Sequence, residues 1–464
     1  LSLKFFNTLE RKNVEFKSIE PNKVQMYTCG PTVYDYGHIG NFRTFVFQDI
    51  LRRYLEYKGY EVTQIMNLTD VDDKTIKGAQ LEGISLKKFT ERYTKAFFED
   101  RDTLNIEHAE QYPKATNYIA EMVKMIMKLT EKGYTYQNGG AIYFDISKFK
   151  NYGKLSGIKT QETSRRSRIK KDEYKDEAID FILWKPWNKN DGEIFWETKL
   201  GKGRPGWHTE CSAIANLYLG PLFDIHSGGV DLIFPHHENE IAQSEAANDS
   251  KFANYWLHAE HLILDGEKMS KSIKNIYTVR DITKKGYSGR TIRYLLASAH
   301  YRTQLNFTDA GLKQAESSLE RLQDFIRRLK NFEDGKNNPE LTNKIQEFSR
   351  MFEAEMDNDL NIPGALSVIF DFLKDINRLM DMKEISRVNV DDVYNTMIRL
   401  DKVLGFINTS EEKISGKIKE LIIHREEARR SKDWKKSDQI RDELLKKGII
   451  LEDTLDGVKW KKKQ

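Results

Sequence analysis

Residues 23–67 read KVQMYTCGPTVYDYGHIGNFRTFVFQDILRRYLEYKGYEVTQIMN, and they decide the fold. KVQMYT (23–28) reads as a short strand, and Cys29-Gly30-Pro31 as a glycine-bearing turn. A helix is expected from about Asn41 to Lys58, with Phe45, Ile50, Leu51 and Leu55 on one face. Gly59 stops it, and EVTQIMN (61–67) is the next strand. Strand, helix, strand in that order opens a parallel α/β sheet. Gly37-His38-Ile39-Gly40-Asn41 falls between strand and helix, at the sheet edge where open α/β folds bind ligands. A helix N-terminus there offers N–H groups and partial positive charge to phosphates. His38 and Asn41 project to the same side, and Gly40 lets a nucleotide approach the backbone. Taken alone, such a string is more often an ordinary turn with a surface histidine.

Outward from this unit the pattern changes twice. Residues 116–200 carry a helix (119–131), a turn at Asn138-Gly139-Gly140 and a charged stretch, RRSRIKKDEYKDE (165–177), and read as an insertion in the sheet domain. FDIHSG (223–228) and HENEIAQSEAA (237–247) resume the strand–helix pattern. Beyond about residue 312, Leu312, Ala315, Leu319, Leu322, Ile326 and Leu329 recur at helical spacing, as do Leu366, Ile369, Leu373 and Ile376. Helices near 415–431 and 434–447, a stop at Gly448 and strands around 449–452 and 457–460 close the chain. The expected architecture is α/β. A Rossmann-type parallel-sheet domain (1–115 and 201–260) is split by an insertion (116–200). A short segment (261–312), a helical bundle (313–404) and a small mixed α/β module (405–464) follow.

Composition narrows the class. A chain of 464 residues exceeds one core, and 39% apolar with 31% charged residues describes a soluble globular protein. No apolar run approaches the roughly 18 residues of a membrane span. Leu1–Glu10 lacks the basic-then-apolar pattern of a signal peptide, so the cytoplasm is the expected compartment; Leu rather than Met at position 1 suggests a few preceding residues. Two cysteines, Cys29 and Cys211, exclude a disulfide framework, though not a single bridge. Residues 411–464 hold 16 Lys and Arg against 12 Asp and Glu, a surplus of four that equals the net charge of the whole chain. A basic end such as Lys461–Lys463 can track phosphates, although a solvated tail has the same composition.

Lys268-Met269-Ser270-Lys271-Ser272, preceded by Asp265-Gly266, is the second motif. Two ammonium groups three apart on a polar loop suit a polyphosphate leaving group. Paired in this order, the two strings resemble the signatures of class I aminoacyl-tRNA synthetases. No G-x-x-x-x-G-K-[ST] loop offers ATP another cradle. Gly201, Gly203 and Gly206 spell G-x-G-x-x-G, but Pro205 interrupts the string and no helix is expected to receive a pyrophosphate. Cys29, Cys211 in GWHTEC, and His236 and Glu240 in PHHENE form a candidate zinc set. His236 and Glu240 would share a helix face. The ordinary alternative is that both cysteines are small core residues.

The strings YTCGPTVYDYGHIGN, GWHTEC, GGVDLIFPHHENE and KMSKS resemble cysteinyl-tRNA synthetases of bacterial type over nearly the whole chain. The resemblance implies that ATP, with Mg2+, and L-cysteine give cysteinyl-adenylate and pyrophosphate. The acyl group then passes to the 2′-hydroxyl of the terminal adenosine of tRNA(Cys). His38, Asn41, Lys268 and Lys271 would stabilise the phosphates, with Gly40, Gly228, Gly229 and Asp231 around the nucleotide. One zinc ion per chain would bind the substrate thiolate, which a serine hydroxyl cannot mimic. Thr69, Trp207 and His208 would line the cysteine pocket, Thr69 having a helix-cap role as its alternative. Asp438, Arg441 and Asp453, with Trp434 or Trp460 for stacking, would read the anticodon. A monomer without membrane attachment is expected. The chain departs from the family pattern at Ile273-Lys274-Asn275, usually Leu-Gly-Asn, and at Thr209, usually aliphatic. Two rival readings are a ligase joining cysteine to an aminosugar, which lacks the C-terminal module, and a non-catalytic RNA-binding relative, which would have lost ligands.

Overall fold

The computed structural model describes residues 2–158, 179–268, 276–408, 416–454 and 457–462. An antiparallel hairpin, β1 (Lys4–Asn7) and β2 (Lys12–Glu15), comes first; strands of four residues are too short to have announced themselves by alternation. β3 (Lys23–Thr28), α1 (Ile39–Tyr57) and β4 (Glu61–Met66) follow, with β3 and β4 parallel from Lys23↔Glu61 to Thr28↔Met66. α1 begins two residues before the expected Asn41 because His38 caps it. α2 (Asp73–Leu81) and α3 (Leu86–Thr103) lead into the insertion, which opens with α4 (Ile119–Glu131).

That insertion carries an antiparallel sheet of β5 (Thr135–Asn138), β6 (Ala141–Phe144), β7 (Phe181–Pro186), β8 (Trp196–Thr198) and β9 (Gly201–Pro205), in the order β5-β6-β7-β9-β8. β9 pairs with both β7 and β8, so the sheet runs past the expected boundary at residue 200. The charged stretch 165–177 lies outside the described residues. A helix does follow the G-x-G-x-x-G string, contrary to expectation: α5 (Trp207–Leu219) starts directly after Gly206. The glycines serve packing instead. A Cβ on Gly203 would lie 2.1 Å from the Lys185 carbonyl oxygen, and one on Gly206 would lie 1.9 Å from that of Ile182. Both oxygens belong to β7, the antiparallel neighbour, so the string has no dinucleotide-loop geometry.

β10 (Phe223–Gly229), α6 (Glu238–Asn248) and β11 (Ala253–Ala259) return to the main sheet, whose order is β11-β10-β3-β4, all parallel. From β3 the chain moves outward to β4, and from β10 it moves the other way to β11. The topological switch point therefore lies between β3 and β10, and the crevice beyond their C-terminal ends is where such sheets take ligands.

β12 (Leu262–Leu264), β13 (Glu267–Lys268), α7 (Val279–Lys284), α8 (Gly289–Ala297) and β14 (Leu305–Phe307) come next. Asp265 and Gly266, both with positive φ, make the tight turn between β12 and β13. Four long helices follow: α9 (Asp309–Asn331), α10 (Leu341–Asp357), α11 (Ile362–Asp381) and α12 (Arg387–Leu404). The periodic Leu312–Leu329 face is buried among them. α12 is anchored to the sheet domain at its last turn. The buried Arg293 guanidinium pairs with Asp49 on α1 and donates to the Leu404 carbonyl at 2.7 Å, while Arg53 on α1 donates to that of Lys402 at 3.1 Å. α13 (Gly416–Arg430), α14 (Trp434–Lys446), β15 (Ile449–Thr454) and β16 (Gly457–Lys462) close the chain around Ile440, Leu444, Ile449 and Leu451. Among the described residues no helix is long and apolar enough to cross a membrane.

Candidate active site and metal centre

The C-terminal ends of the parallel strands assemble the site. Cys29 follows β3, and its N–H donates to the Ser227 carbonyl on β10 at 3.1 Å. Gly30 then crosses the loop after β4 so closely that a Cβ would sit 1.8 Å from the Asn67 carbonyl oxygen. Only glycine fits there. Cys211 lies on α5, and a wide helical turn over Ile233–His237 delivers His236 just ahead of α6, which carries Glu240. His236 is thus not on a regular helix as expected, yet its Nε2 lies 3.0 Å from Glu240 Oε1.

Cys29, Cys211, His236 and Glu240 are all buried, with one ligand atom each lying within 4.8 Å of all the others. A tetrahedral zinc set has ligand–ligand spacings of about 3.3–3.8 Å, so a small contraction would close this one. Cys29 and Cys211 form no disulfide with each other. A second buried quartet, Cys29, His226, His237 and Glu240, meets the same spacing and shares two members with the first. Sequence reasoning missed His226 and His237; the His-His pair in PHHENE was the available signal.

The surrounding hydrogen bonds distinguish the two quartets. His236 Nδ1 lies 2.9 Å from His208 Nδ1, so an imidazole ligating through Nε2 can place its own proton on His208. His226 Nε2 contacts Glu240 Oε2 at 2.9 Å, behind the oxygen that faces His236. His237 Nε2 lies 3.3 Å from Cys29 Sγ and its Nδ1 2.8 Å from His258 Nε2, while His258 Nδ1 is 2.8 Å from Thr8 Oγ1. With Cys29 as a thiolate the chain runs one way, Thr8 donating to His258, His258 to His237, and His237 to Cys29; with a Cys29 thiol it can run in reverse. His226 and His237 then act as outer partners that hold Glu240 and Cys29. A Cβ on Gly228 would strike the His237 ring at 2.8 Å, so that glycine makes room for the relay.

Burial sets the protonation states. It pushes the Cys29 thiol up to about 12 and the Cys211 thiol well above its ordinary range. It also lowers His236 and His237 well below the usual imidazole value, and His258 to about 3, leaving neutral rings that can ligate or relay. Glu240 is raised by burial, against the pull of His226. Trp207, 42% exposed, stacks on the His236 ring at 4.1 Å, so this quartet is roofed by an aromatic plane at the protein surface.

Thr69 sits beside the cluster and caps no helix; Asp72 caps α2 instead. Its hydroxyl bonds to buried Glu210 at 2.8 and 3.0 Å, and Asn67 Nδ2 reaches the same carboxylate at 2.7 Å. Burial raises Glu210 to about 8 despite these donors. Asn67 and Glu210 were not among the candidates from sequence, because neither residue type stands out without its partners.

At the start of α1, the Asn41 N–H donates to His38 Nδ1 at 3.1 Å and the His38 N–H to Asn41 Oδ1 at 3.2 Å, a reciprocal cap. With Nδ1 accepting, the neutral ring carries its proton on Nε2, where it can donate to a phosphate oxygen. Gly40 lies in the first turn. Ile39 N–H donates to the Tyr277 carbonyl at 2.9 Å, so the chain returning from the second motif is tied to this helix start. Lys268 ends β13, whereas Lys271 lies outside the described residues, as do Met269, Ser270 and Ser272–Asn275. Gly229 ends β10, and a Cβ there would lie 2.4 Å from Asp231 Oδ1. Trp434, Asp438 and Arg441 are exposed on α14; Asp453 and Trp460 lie on β15 and β16, their side chains outside the described set.

Comparison with known proteins matches three consecutive models to this chain. Residues 15–317 match the class I (C) tRNA synthetase catalytic domain, 351–408 the DALR domain, and 411–461 the cysteinyl-tRNA ligase anticodon binding domain. The cysteine–tRNA ligase of Protochlamydia amoebophila is 47% identical over 100% of this chain and 98% of its own length. That of Chlamydia muridarum is 48% identical over 100% of both. Methionyl-tRNA synthetase of Mycobacterium tuberculosis, bound by methionyl-adenylate, shares the fold with a TM-score of 0.61 at 13% identity, covering 83% of this chain and 90% of that one. With its parallel sheet, paired motifs and thiol-containing cluster, the chain belongs to the cysteine–tRNA ligase family of class I aminoacyl-tRNA synthetases.

Proposed function

We propose that the ligase reaction runs in two steps on the residues assembled at the switch point. The carboxylate of L-cysteine attacks the α-phosphate of Mg2+-bound ATP, giving cysteinyl-adenylate and pyrophosphate. The 2′-hydroxyl of the terminal adenosine of tRNA(Cys) then takes the acyl group and releases AMP. His38 Nε2–H and Asn41 steady the phosphates at the start of α1, and Lys268 and Lys271 neutralise the departing pyrophosphate. Gly40, Gly228 and Gly229 let the nucleotide lie against the backbone, and Asp231 accepts from a ribose hydroxyl or the substrate amine. Thr69, Trp207 and His208 surround the cysteine.

The observation that carries this reading is the buried quartet of Cys29, Cys211, His236 and Glu240, with its ligand atoms within 4.8 Å. Zinc, one ion per chain, would be held there and when bound supplies a soft Lewis acid for a thiolate. We favour this set over the one containing His226 and His237 because it offers two thiolates, and because Trp207 and His208 lie on its His236 side. We assign the domain boundaries as set out from the sequence, with the insertion extended through β9. Asp438, Arg441, Asp453 and Trp460 are the proposed anticodon contacts. We take the protein to be a cytoplasmic monomer.

Cysteine-dependent pyrophosphate exchange, measured before and after zinc removal with L-serine in parallel, tests the reading. Exchange should require cysteine, reject serine, and vanish with the metal. Exchange that persists without zinc and still rejects serine would remove the metal from the selection step.

A further inference from the structure

Arg43 lies on α1 two residues beyond Asn41 and is 2% exposed. Among the described residues its guanidinium has no ion-pair partner. It donates instead to three backbone carbonyls, Nη1 to His261 at 3.0 Å and Nη2 to His300 at 3.2 Å and to Thr303. Burial lowers it to about 10, against the pull of Glu260, so it stays charged at neutral pH. His261 directly precedes β12. His300 and Thr303 precede β14, which lies parallel to β12 from Leu262↔Leu305 to Leu264↔Phe307. β12 in turn carries β13 through Ile263↔Lys268 and Leu264↔Glu267. Arg43 therefore holds the base of the arm that ends in Lys268. The same helix holds the other flank of the second motif one turn earlier: Ile39 N–H donates to the Tyr277 carbonyl at 2.9 Å, and His38 bridges to Thr278. α1 thus grips the chain on both sides of that motif, and its own first turn carries His38 and Asn41.

We infer that Arg43 is a positioning residue for the departing pyrophosphate: by fixing the base of β12 and β14 against α1, it sets the spacing between His38 and Asn41 at the helix start and Lys268 on β13. This rests on the roles proposed for those three residues and goes beyond them. A guanidinium suits the task because its planar fork offers donors in several fixed directions, enough for three carbonyls on two separate segments. Lysine would keep the charge but place it at one point on a flexible stem, where it could not hold both segments. Charge-stabilising groups act fully only when preorganised, so displacing Lys268 from α1 by about an ångström costs rate while the fold survives.

The test is R43K in the full-length enzyme, with its metal content measured beside the wild type. Single-turnover adenylate formation at saturating cysteine and ATP should slow roughly ten- to hundredfold, the range for a displaced catalytic group. The KM for pyrophosphate in the exchange reaction should rise with it, while the KM for cysteine and the metal content stay near wild type. A merely structural role would weaken cysteine and pyrophosphate in parallel, and that result overturns the inference, as does an unchanged rate. In a double-mutant cycle, R43K/K268A should be little slower than K268A alone, and additive effects overturn action through Lys268. A K268A enzyme with an unchanged rate would refute the role proposed for that lysine and this inference with it. Loss in K268A without loss in R43K would refute the role of Arg43 alone. If R43K does not fold by circular dichroism, R43Q serves, because its amide keeps two donors without a buried charge, and the same cycle with K268A decides.

Discussion

Zinc binding to the proposed site should release protons, and the number released follows from the burial of the residues proposed to hold it. Cys29 is pushed up to about 12 and Cys211 well above its ordinary range, so at neutral pH both are thiols when no metal is present. A metal that takes thiolates must displace one proton from each. Ionising Cys29 alone at pH 7 spans five units from about 12, roughly 7 kcal/mol that metal–sulfur bonding has to offset. His236 is neutral and gives up nothing. Protons compete with the metal here, so affinity strengthens as pH rises and weakens as it falls. Between pH 8 and pH 6, two displaced protons should cost about four decades in apparent affinity, or roughly 5 kcal/mol. Competition against a chelator of known pH dependence measures the slope, and calorimetry in two buffers of different ionisation enthalpy counts the protons directly. In Cys29→Ser the weakened site should show a slope lower by one. A wild-type slope near zero, or one unaffected by Cys29→Ser, would refute thiolate ligation.

Lys271→Ala should slow single-turnover adenylate formation by about 2–4 kcal/mol while leaving cysteine affinity nearly intact, the signature of a charge acting on the transition state; the reverse pattern would reassign the lysine. Gly30→Ala forces a methyl to within 1.8 Å of the Asn67 carbonyl oxygen, so a loss of about 1–3 kcal/mol in stability, with reduced metal retention, is expected in a thermal melt. An unchanged melt and full metal content would show that the two loops part easily. Truncation belongs after Asn408, because the amides of Phe406 and Ile407 donate to Asp401 and that of Asn408 to Gln323. The shortened protein should keep pyrophosphate exchange but lose tRNA charging, mainly through KM and with a flatter salt dependence, and equal charging by a folded truncation would contradict anticodon binding by residues beyond the cut.

How far the sequence could be read depended on how common each residue type is in its setting. β3, α1 and β4 stood out because strand, turn and helix signals adjoin without interruption, and Gly59 marks the helix end. Cys29 and Cys211 stood out because the chain has only two cysteines and both fall in glycine- or histidine-bearing strings. Choosing His236 over His237 was harder. Helical spacing admits both, four and three residues before Glu240, and the wide turn over 233–237 brings both toward Glu240 Oε1, at 3.0 and 3.9 Å. What separates them is what lies behind each ring, His208 for one and His258 for the other, and neither neighbour is near in sequence. The glycines at 201, 203 and 206 misled for a related reason: spacing alone cannot tell a phosphate loop from room made for the adjacent strand β7. Glu210 was the least legible of all. A glutamate beside a cysteine early in a helix reads as a favourable first-turn charge, and only the distances to Asn67 and Thr69, more than 140 positions earlier in the chain, show it to be a buried, hydrogen-bonded group. Rare residue types therefore mark the thiol-containing cluster in the sequence, whereas the unit of Asn67, Thr69 and Glu210 beside it is built from ordinary residues and becomes visible only through the partners that the fold supplies.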